Sequence, residues 1–329
     1  MQSVKAIQIE RTGGPEVMRV VEISVGEPGP GEVRIRHHAI GLNFIDTYHR
    51  SGLYPISLPA VLGIEGAGVV EAIGDGVTHL AVGDRVAYTT KVLGSYAEVR
   101  VVPAYSVVVL PDSIDFATGA AIMVKGLTVQ ALLRRTNIAL VPGDMIVWHA
   151  AAGGVGLIAC QWARALGLRM IATAGTAEKC ALALEHGAAF AINYTTEDVV
   201  ARVRELTDGK RVKVVYDSVG KDTWERSLDC LQPLGLMVSF GNASGAVPPV
   251  ALTQLMAKGS LYVQRPTLHT YLTSAEVTQQ MANELFAQLD AGMRILVERR
   301  YPLDQAAQAH RDMESRTTTG AGVLVPAPQ

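Results

Sequence analysis

Apolar and polar positions change rhythm twice along the chain. Up to about residue 120 they come in short runs. Glu32-Val33-Arg34-Ile35-Arg36-His37-His38-Ala39-Ile40 places an apolar residue at nearly every second position, as a half-buried strand requires. Val4-Lys5-Ala6-Ile7-Gln8-Ile9, Gly68-Val69-Val70-Glu71-Ala72-Ile73, Arg85-Val86-Ala87-Tyr88 and Tyr96-Ala97-Glu98-Val99-Arg100-Val101 read as further short strands. Gly29-Pro30-Gly31, Gly74-Asp75-Gly76 and Gly83-Asp84 mark turns between them. This half predicts a compact, barrel-like β-rich domain, with no internal repeat.

From about Ala117 the pattern alternates helix and strand. Strands are expected at 145–148, 168–174, 190–193, 212–217, 236–240 and 261–264, with helices over 157–166, 178–186, 196–206 and 224–231 between them. Strands linked by helical crossovers predict a doubly wound parallel sheet. After Pro266 the regime changes again. Thr273-Ser274-Ala275-Glu276 reads as a capping box opening a helix to Leu289, with Gly292 near its end. A helix over 303–315 and a strand over 322–325 should then lead back to the first domain. The expected division is 1–125, β-rich; 126–266, dinucleotide-binding; and 267–329, the return.

The centre of this layout is His149-Ala150-Ala151-Ala152-Gly153-Gly154-Val155-Gly156. It follows the apolar run Met145-Ile146-Val147-Trp148 and opens a helix closed by Gly167. Strand, glycine turn and helix form the setting of a dinucleotide site. Backbone can approach a pyrophosphate along Ala152, Gly153, Gly154 and Val155, Gly156 allows close packing, and the helix N-terminus offers free N–H groups. Ala151 stands where the usual fingerprint has its first glycine, and the alternative is an ordinary tight turn.

An NAD-selective sheet carries an acid about 20 residues past the glycines, on the ribose 2′-hydroxyl. Gly175 and Thr176 stand there instead, followed by Glu178 and Lys179. A small residue leaves room for a 2′-phosphate, Thr176 can donate a hydrogen bond and Lys179 can neutralise charge. The expected cofactor is therefore NADPH. Glu178 opposes this unless it faces solvent, and Lys179 could be an ordinary solvated lysine.

Composition narrows the class further. Hydrophobic residues make up 49% and charged residues 18% of the 329, and the net charge is −2. The chain reads as globular, with nothing to suggest a nucleic-acid or membrane surface. Cys160, Cys180 and Cys230 are too scattered for a disulfide framework or a zinc cluster and suit a reducing cytosol. No signal peptide and no apolar run long enough to span a bilayer stand out. His37 and His38, adjacent on a strand, should face opposite ways and cannot chelate one ion.

The order of β-rich domain, dinucleotide sheet and return resembles the medium-chain dehydrogenase/reductase superfamily, with its GroES-like domain and Rossmann sheet. Ile40-Gly41-Leu42-Asn43-Phe44-Ile45-Asp46-Thr47-Tyr48, Arg50-Ser51-Gly52-Leu53-Tyr54-Pro55, Lys125-Gly126-Leu127-Thr128, the glycine turn, Val215-Tyr216-Asp217-Ser218-Val219-Gly220 and Val238-Ser239-Phe240-Gly241-Asn242 are similar to NADPH:quinone oxidoreductases, the zeta-crystallin group. The zinc alcohol dehydrogenases of the superfamily place a cysteine ligand in the first of these stretches and a Gly-His-Glu motif further on. Asn43 and Gly63-Ile64-Glu65 occupy those places here, and no cysteine lies between 81 and 115 to build a structural zinc lobe. Asparagine and isoleucine cannot replace thiolate and imidazole, so no metal is expected.

Without a Lewis acid, a simple ketone or alcohol is a poor substrate, whereas a quinone or an activated double bond can accept hydride from a well-placed cofactor. The resemblance implies NADPH-dependent quinone reduction in an interdomain cleft. It places Asn43, Asp46, Tyr48, Tyr54 and Thr128 at the nicotinamide end, with Tyr48 bonding a quinone oxygen and Tyr54 as a stacking wall. It also places Gly175, Lys179, Tyr194 and Arg316 around the 2′-phosphate, and Ser218 and Arg265 by the pyrophosphate and riboses. Phe240, Gly241 and Asn242 end a strand at the ligand edge of the sheet. Tyr48 could instead be packing, Asp46 a helix cap and Arg316 a surface residue. Alternatives are reduction of α,β-unsaturated carbonyls, or a non-catalytic NADPH- or RNA-binding role, against which the absence of a basic patch argues. A cytoplasmic homodimer, paired near Leu261-Tyr262-Val263, is expected.

Overall fold

The alternation in Glu32–Gly41 buries Val33, Ile35 and His37 and leaves Arg34 and Arg36 partly exposed. That strand is the hub of the β-rich unit. It pairs antiparallel with Glu65–Ile73, with Val99–Pro103 and with Ala321–Val325. The computed structural model describes residues 1–315 and 318–327. It divides into one unit of Met1–Leu127, His269–Ala291 and Ile295–Gln329, and another of Thr128–Leu268 with Gly292–Arg294.

In the first unit, a seven-stranded sheet runs Val297–Pro302, Ala321–Val325, Glu32–Gly41, Glu65–Ile73, Arg85–Thr89, Val107–Val109, with Val99–Pro103 paired to the hub. A smaller sheet orders Arg19–Val25, Gln2–Ile9, Ala60–Val61. Arg19–Val25, Ala60–Val61, Val107–Val109 and Val297–Pro302 lie outside the strands expected from the sequence, and the first and last of them show why. Arg19–Val25 keeps only one residue buried, and Val297–Pro302 carries Glu298, Arg299 and Arg300 on a largely exposed edge. Partner strands, not a buried face, specify both.

In the second unit, six parallel strands run in the spatial order Phe190–Asn193, Arg169–Ala174, Met145–Trp148, Val212–Asp217, Leu231–Ser239, Tyr262–Gln264. In chain order that is third, second, first, fourth, fifth, sixth, so the order reverses between Met145–Trp148 and Val212–Asp217. The fold is thus α/β, a doubly wound parallel sheet joined to a β-rich unit. Val147, Ile171, Val215 and Met237 pack on one of its faces against Val203, Trp224 and Leu228.

Several boundaries differ from expectation. The helix expected over 224–231 is Trp224–Asp229, because Leu231 already pairs with Val212 in the next strand. The helix expected from 196 begins at Val199, where the Asp198 carboxylate accepts from Ala201 N. The cap of Ala275–Asp290 is Ser274, accepting from Val277 N, one residue later than the expected box. Within 303–315 the α-helix proper is Ala306–Glu314. Phe116–Arg134 corrects another expectation: by length and composition it could cross a bilayer, yet 78% of its most apolar window is buried in the fold. Its apolar residues are spread round the axis and not gathered in one stripe, as in a core helix, and Lys125 and Gln130 are buried with them.

The hub makes a direct prediction. Ile35→Ala leaves a cavity in a fully buried cluster with Val33, Val70, Val86 and Val102. Denaturant titration should show a loss of about 3 kcal/mol; a loss under about 1 kcal/mol would mean the hub is not a closed core.

Candidate cofactor and substrate sites

The glycine turn begins with Ala150 in the left-handed region, at φ 54°. Gly153 then caps Gly154–Ala165, and no side chain fills the cap. A Cβ at Gly156 would run into the backbone of Ala151, so only glycine lets the helix sit this close to the turn. The first-turn N–H groups are therefore presented beside an open backbone, an arrangement suited to a phosphate. His149, which the sequence reading left without a role, anchors the turn from below. Its Nδ1 lies 2.8 Å from Thr173 Oγ1 and its Nε2 2.9 Å from Ser227 Oγ. Ser227 donates to Asp217 Oδ2 at 2.7 Å, and Asp217 Oδ1 accepts from the N–H groups of Val219 and Gly220. Burial pushes the imidazole pKa down, so His149 is neutral here.

Gly175 follows the second strand, and a Cβ on it would come within 2.6 Å of Tyr194 Oη. Thr176 caps Ala177–Glu185, accepting from Lys179 N at 3.2 Å. Glu178 is exposed, and its carboxyl is held below the usual range by its own N–H and the Thr176 hydroxyl. Gly175, Thr176, Lys179 and Tyr194 thus gather at one strand end; Arg316 lies outside the described residues. At the ends of the fourth and fifth strands, Arg265 Nη1 donates to Ser239 O, Ser239 Oγ and Gly241 O at 2.9, 3.2 and 3.1 Å. Ala243 N donates to Ser218 O, and the Phe240 ring lies 5.4 Å from that of Trp148. Ser218, Phe240, Gly241, Asn242 and Arg265 therefore share one edge of the sheet.

In the β-rich unit Asp46 and Tyr48 sit on Phe44–Ser51, Asn43 is its N-cap, and Tyr54 follows its C-terminal end. Asp46 accepts from Asn43 N at 2.9 Å, so its carboxylate closes the helix start. Tyr48 and Tyr54 meet edge to face with ring centres 5.2 Å apart. Asp46 Oδ2 also receives the Tyr96 hydroxyl at 2.9 Å, Tyr96 Oη lies 3.0 Å from His310 Nε2, and His310 Nδ1 lies 3.0 Å from Arg50 Nη1. Arg50 continues to Glu314 at 2.6 Å. A guanidinium only donates, so Nδ1 accepts and the remaining imidazole proton sits on Nε2. The direction of every bond back to Asp46 follows. Burial pushes the Asp46 pKa up to about 7 and, with Arg50 adding to it, pushes His310 down to about 3.

Beneath Asn43 lies a buried ion pair. The Lys125 ammonium reaches Leu42 O at 2.9 Å, Asn43 Oδ1 at 2.9 Å and Glu65 Oε1 at 3.3 Å. Glu65 Oε1 also receives Asn43 Nδ2 at 2.6 Å, and Oε2 receives Val124 N at 2.6 Å. Gly41 makes room, since a Cβ there would collide with the Glu65 carboxylate and Ala120 O. His37 and His38 do face opposite ways: His37 is buried against Ala97 O and Tyr88, while His38 is exposed and stacks on Phe116.

Residues 29–112 match the family described as alcohol dehydrogenase GroES-like domain, and 154–286 the one described as zinc-binding dehydrogenase. A quinone oxidoreductase of Pseudomonas aeruginosa is 57% identical over 324 residues, covering 98% of this chain and 99% of its own. The chain belongs to the quinone oxidoreductase family. The solved Escherichia coli quinone oxidoreductase, described as complexed with NADPH, superposes with a TM-score of 0.96 at 51% identity, over 98% of this chain and all of that one. A Burkholderia protein named 2-haloacrylate reductase is 43% identical over 98% of this chain and 99% of its own. In this quinone oxidoreductase family member the GroES-like and Rossmann assignments follow directly, whereas Glu65, Lys125, Tyr96, His149 and His310 carry bonds that no motif announced. The available signals were Glu65, standing after Ile64, Lys125 at the head of Lys125-Gly126-Leu127-Thr128, and His149 at the head of the glycine turn.

Histidines withdrawn from water fix an acid limb. In the folded state His310 titrates at about 3, His37 at about 4 and His269 at about 4, against 6.5 ordinarily, so below 6.5 the unfolded chain binds protons that the folded chain does not. Asp46, raised from 3.8 to about 7, works the other way, stabilising as pH falls through that window. Three groups outweigh one, and melting temperature should fall from pH 6.5 towards 4.5. His310→Gln should make that slope shallower; an unchanged slope would mean His310 is already protonated in the fold.

Proposed function

We propose that the protein is an NADPH-dependent quinone oxidoreductase that works without a metal. The observation that carries the metal-free reading is the Lys125 ammonium bonded to Asn43 and Glu65, at the positions that resemble the ligand stretches of the zinc enzymes. A divalent cation placed on those oxygens would meet a fixed positive charge at hydrogen-bond range. The turn and the Gly175–Tyr194 corner have the shape and polarity that NADPH needs.

When bound, NADPH supplies the hydride. The chain's own part is to bind and orient. The uncapped N-terminus of Gly154–Ala165 receives the pyrophosphate, with Ser218 and Arg265 beside it. Lys179, Thr176 and Tyr194 receive the 2′-phosphate. Asn43 and Thr128 orient the nicotinamide end, and Phe240, Gly241 and Asn242 border the cofactor at the strand ends. Tyr48 donates a hydrogen bond to a quinone oxygen while Tyr54 walls the ring, and the one proton needed besides the hydride comes from solvent or a neighbouring polar group. Asp46 holds the helix that carries Tyr48. Cytoplasmic residence fits three free cysteines. Homodimerisation through the edge strand Tyr262–Gln264 fits the exposure of Tyr262 (57%) and Val263 (42%), and a monomer in light scattering would rule it out.

A second reading has its own support: the 2-haloacrylate reductase relative acts, by its name, on an activated carbon–carbon double bond. Initial rates with 1,4-benzoquinone and with a small enone, in chelator-treated protein, separate the two. Quinone turnover with NADPH is expected; enone preference would favour the second reading, and loss of activity on chelation would end the metal-free one. Lys179→Ala should raise the KM for NADPH about tenfold and leave that for NADH within about twofold. Equal effects on both cofactors would remove the 2′-phosphate site.

A further inference from the structure

The Asn43 carboxamide is gripped at both ends. A carboxylate has no proton to give and an ammonium no lone pair to receive, so Nδ2 must face Glu65 and Oδ1 must face Lys125. The clamp is rigid for physical reasons. Lys125 has three protons and three oxygen acceptors, so its ammonium is fully used. Glu65 is fully buried and held on its other oxygen by Val124 N, in the space that the missing side chain of Gly41 leaves for it.

One hydrogen is left over. Nδ2 carries two, Glu65 takes one, and the second finds no acceptor among the described residues, although Asn43 is only 6% exposed. An amide N–H held at fixed orientation and withheld from protein acceptors is a donor kept for a ligand oxygen. We propose that Lys125 and Glu65 are positioning residues, which act through Asn43 to aim this amide N–H at an oxygen of the bound reactants. That oxygen is a hydroxyl of the nicotinamide ribose or a carbonyl of the quinone; the inference rests on the reading of the protein as an NADPH-dependent quinone reductase.

The test is Lys125→Met/Glu65→Gln. It removes both charges together, so neither is stranded. The introduced carboxamide keeps an oxygen for Val124 N and offers its nitrogen to Asn43 Oδ1, which turns the Asn43 amide around. Melting temperature, NADPH affinity by fluorescence, and kcat and KM for 1,4-benzoquinone are measured on this variant, on Asn43→Ala and on the triple variant. A folded double variant should lose at least about tenfold in kcat/KM, the scale of one oriented hydrogen bond. Asn43→Ala should lose as much, and the triple variant no more than either. The loss appears in NADPH affinity if the ribose is the acceptor, and in quinone kinetics at saturating NADPH if the quinone is. Wild-type affinity and turnover in the folded double variant would overturn the proposal. If that variant does not fold, wild-type behaviour of Asn43→Ala, which leaves the ion pair intact, overturns it equally. Absence of quinone turnover in the unmutated protein would instead count against the functional reading, while the NADPH-affinity arm still judges the ribose contact.

Discussion

A lysine ammonium buried under the start of a helix is the constraint on which the substrate side of this protein depends. Taking Lys125 and Glu65 out of water costs several kcal/mol for each ion, and their attraction offsets that only when every proton and lone pair is met. Here the three ammonium protons are met by Leu42 O, Asn43 Oδ1 and Glu65, and both carboxylate oxygens receive donors, from Asn43, Lys125 and Val124 N. Breaking one partner would strand the other charge, at about 3–5 kcal/mol. That penalty ties three separate segments, around residues 42, 65 and 125, into one geometry, and Phe44–Ser51 with Tyr48 inherits its starting point from it.

The same helix is fixed a second time from the far end of the sequence. Arg50, His310, Tyr96 and Asp46 form a chain in which the donor-only guanidinium sets the direction of each bond. Both devices use buried polar groups for orientation where apolar packing would give only proximity. In the dinucleotide unit, His149, Ser227 and Asp217 do the equivalent work beneath the glycine turn. The residues expected to touch ligands are therefore backed by others whose bonds are internal to the protein.

The divergence from the zinc enzymes follows from the same chemistry. Where Asn43 and Ile64 stand, thiolate and imidazole are gone, and the remaining carboxylate of Glu65 is neutralised by an amino group on the chain itself. On the metal-free reading proposed above, such a site suits a reaction that needs only a well-aimed hydride and hydrogen bonds to an electrophilic acceptor.

The sequence by itself determined what local pattern can carry. Period-two alternation marked Glu32–Gly41, apolar runs between glycines marked the inner strands of the parallel sheet, and the run at 149–156 marked the tight turn from strand to helix, since these signals depend only on neighbours along the chain. Gly175 with Lys179 likewise pointed to NADPH before any partner was visible. Tertiary structure alone decided the rest. Val297–Pro302 looks polar and becomes a strand only because Ala321–Val325 offers it a partner. Leu231 left its expected helix because Val212 claimed it. The meeting of Lys125, Glu65 and Asn43, and of His310 with Tyr96, joins residues up to 214 positions apart, and no periodicity encodes which distant side chains will satisfy one another's protons.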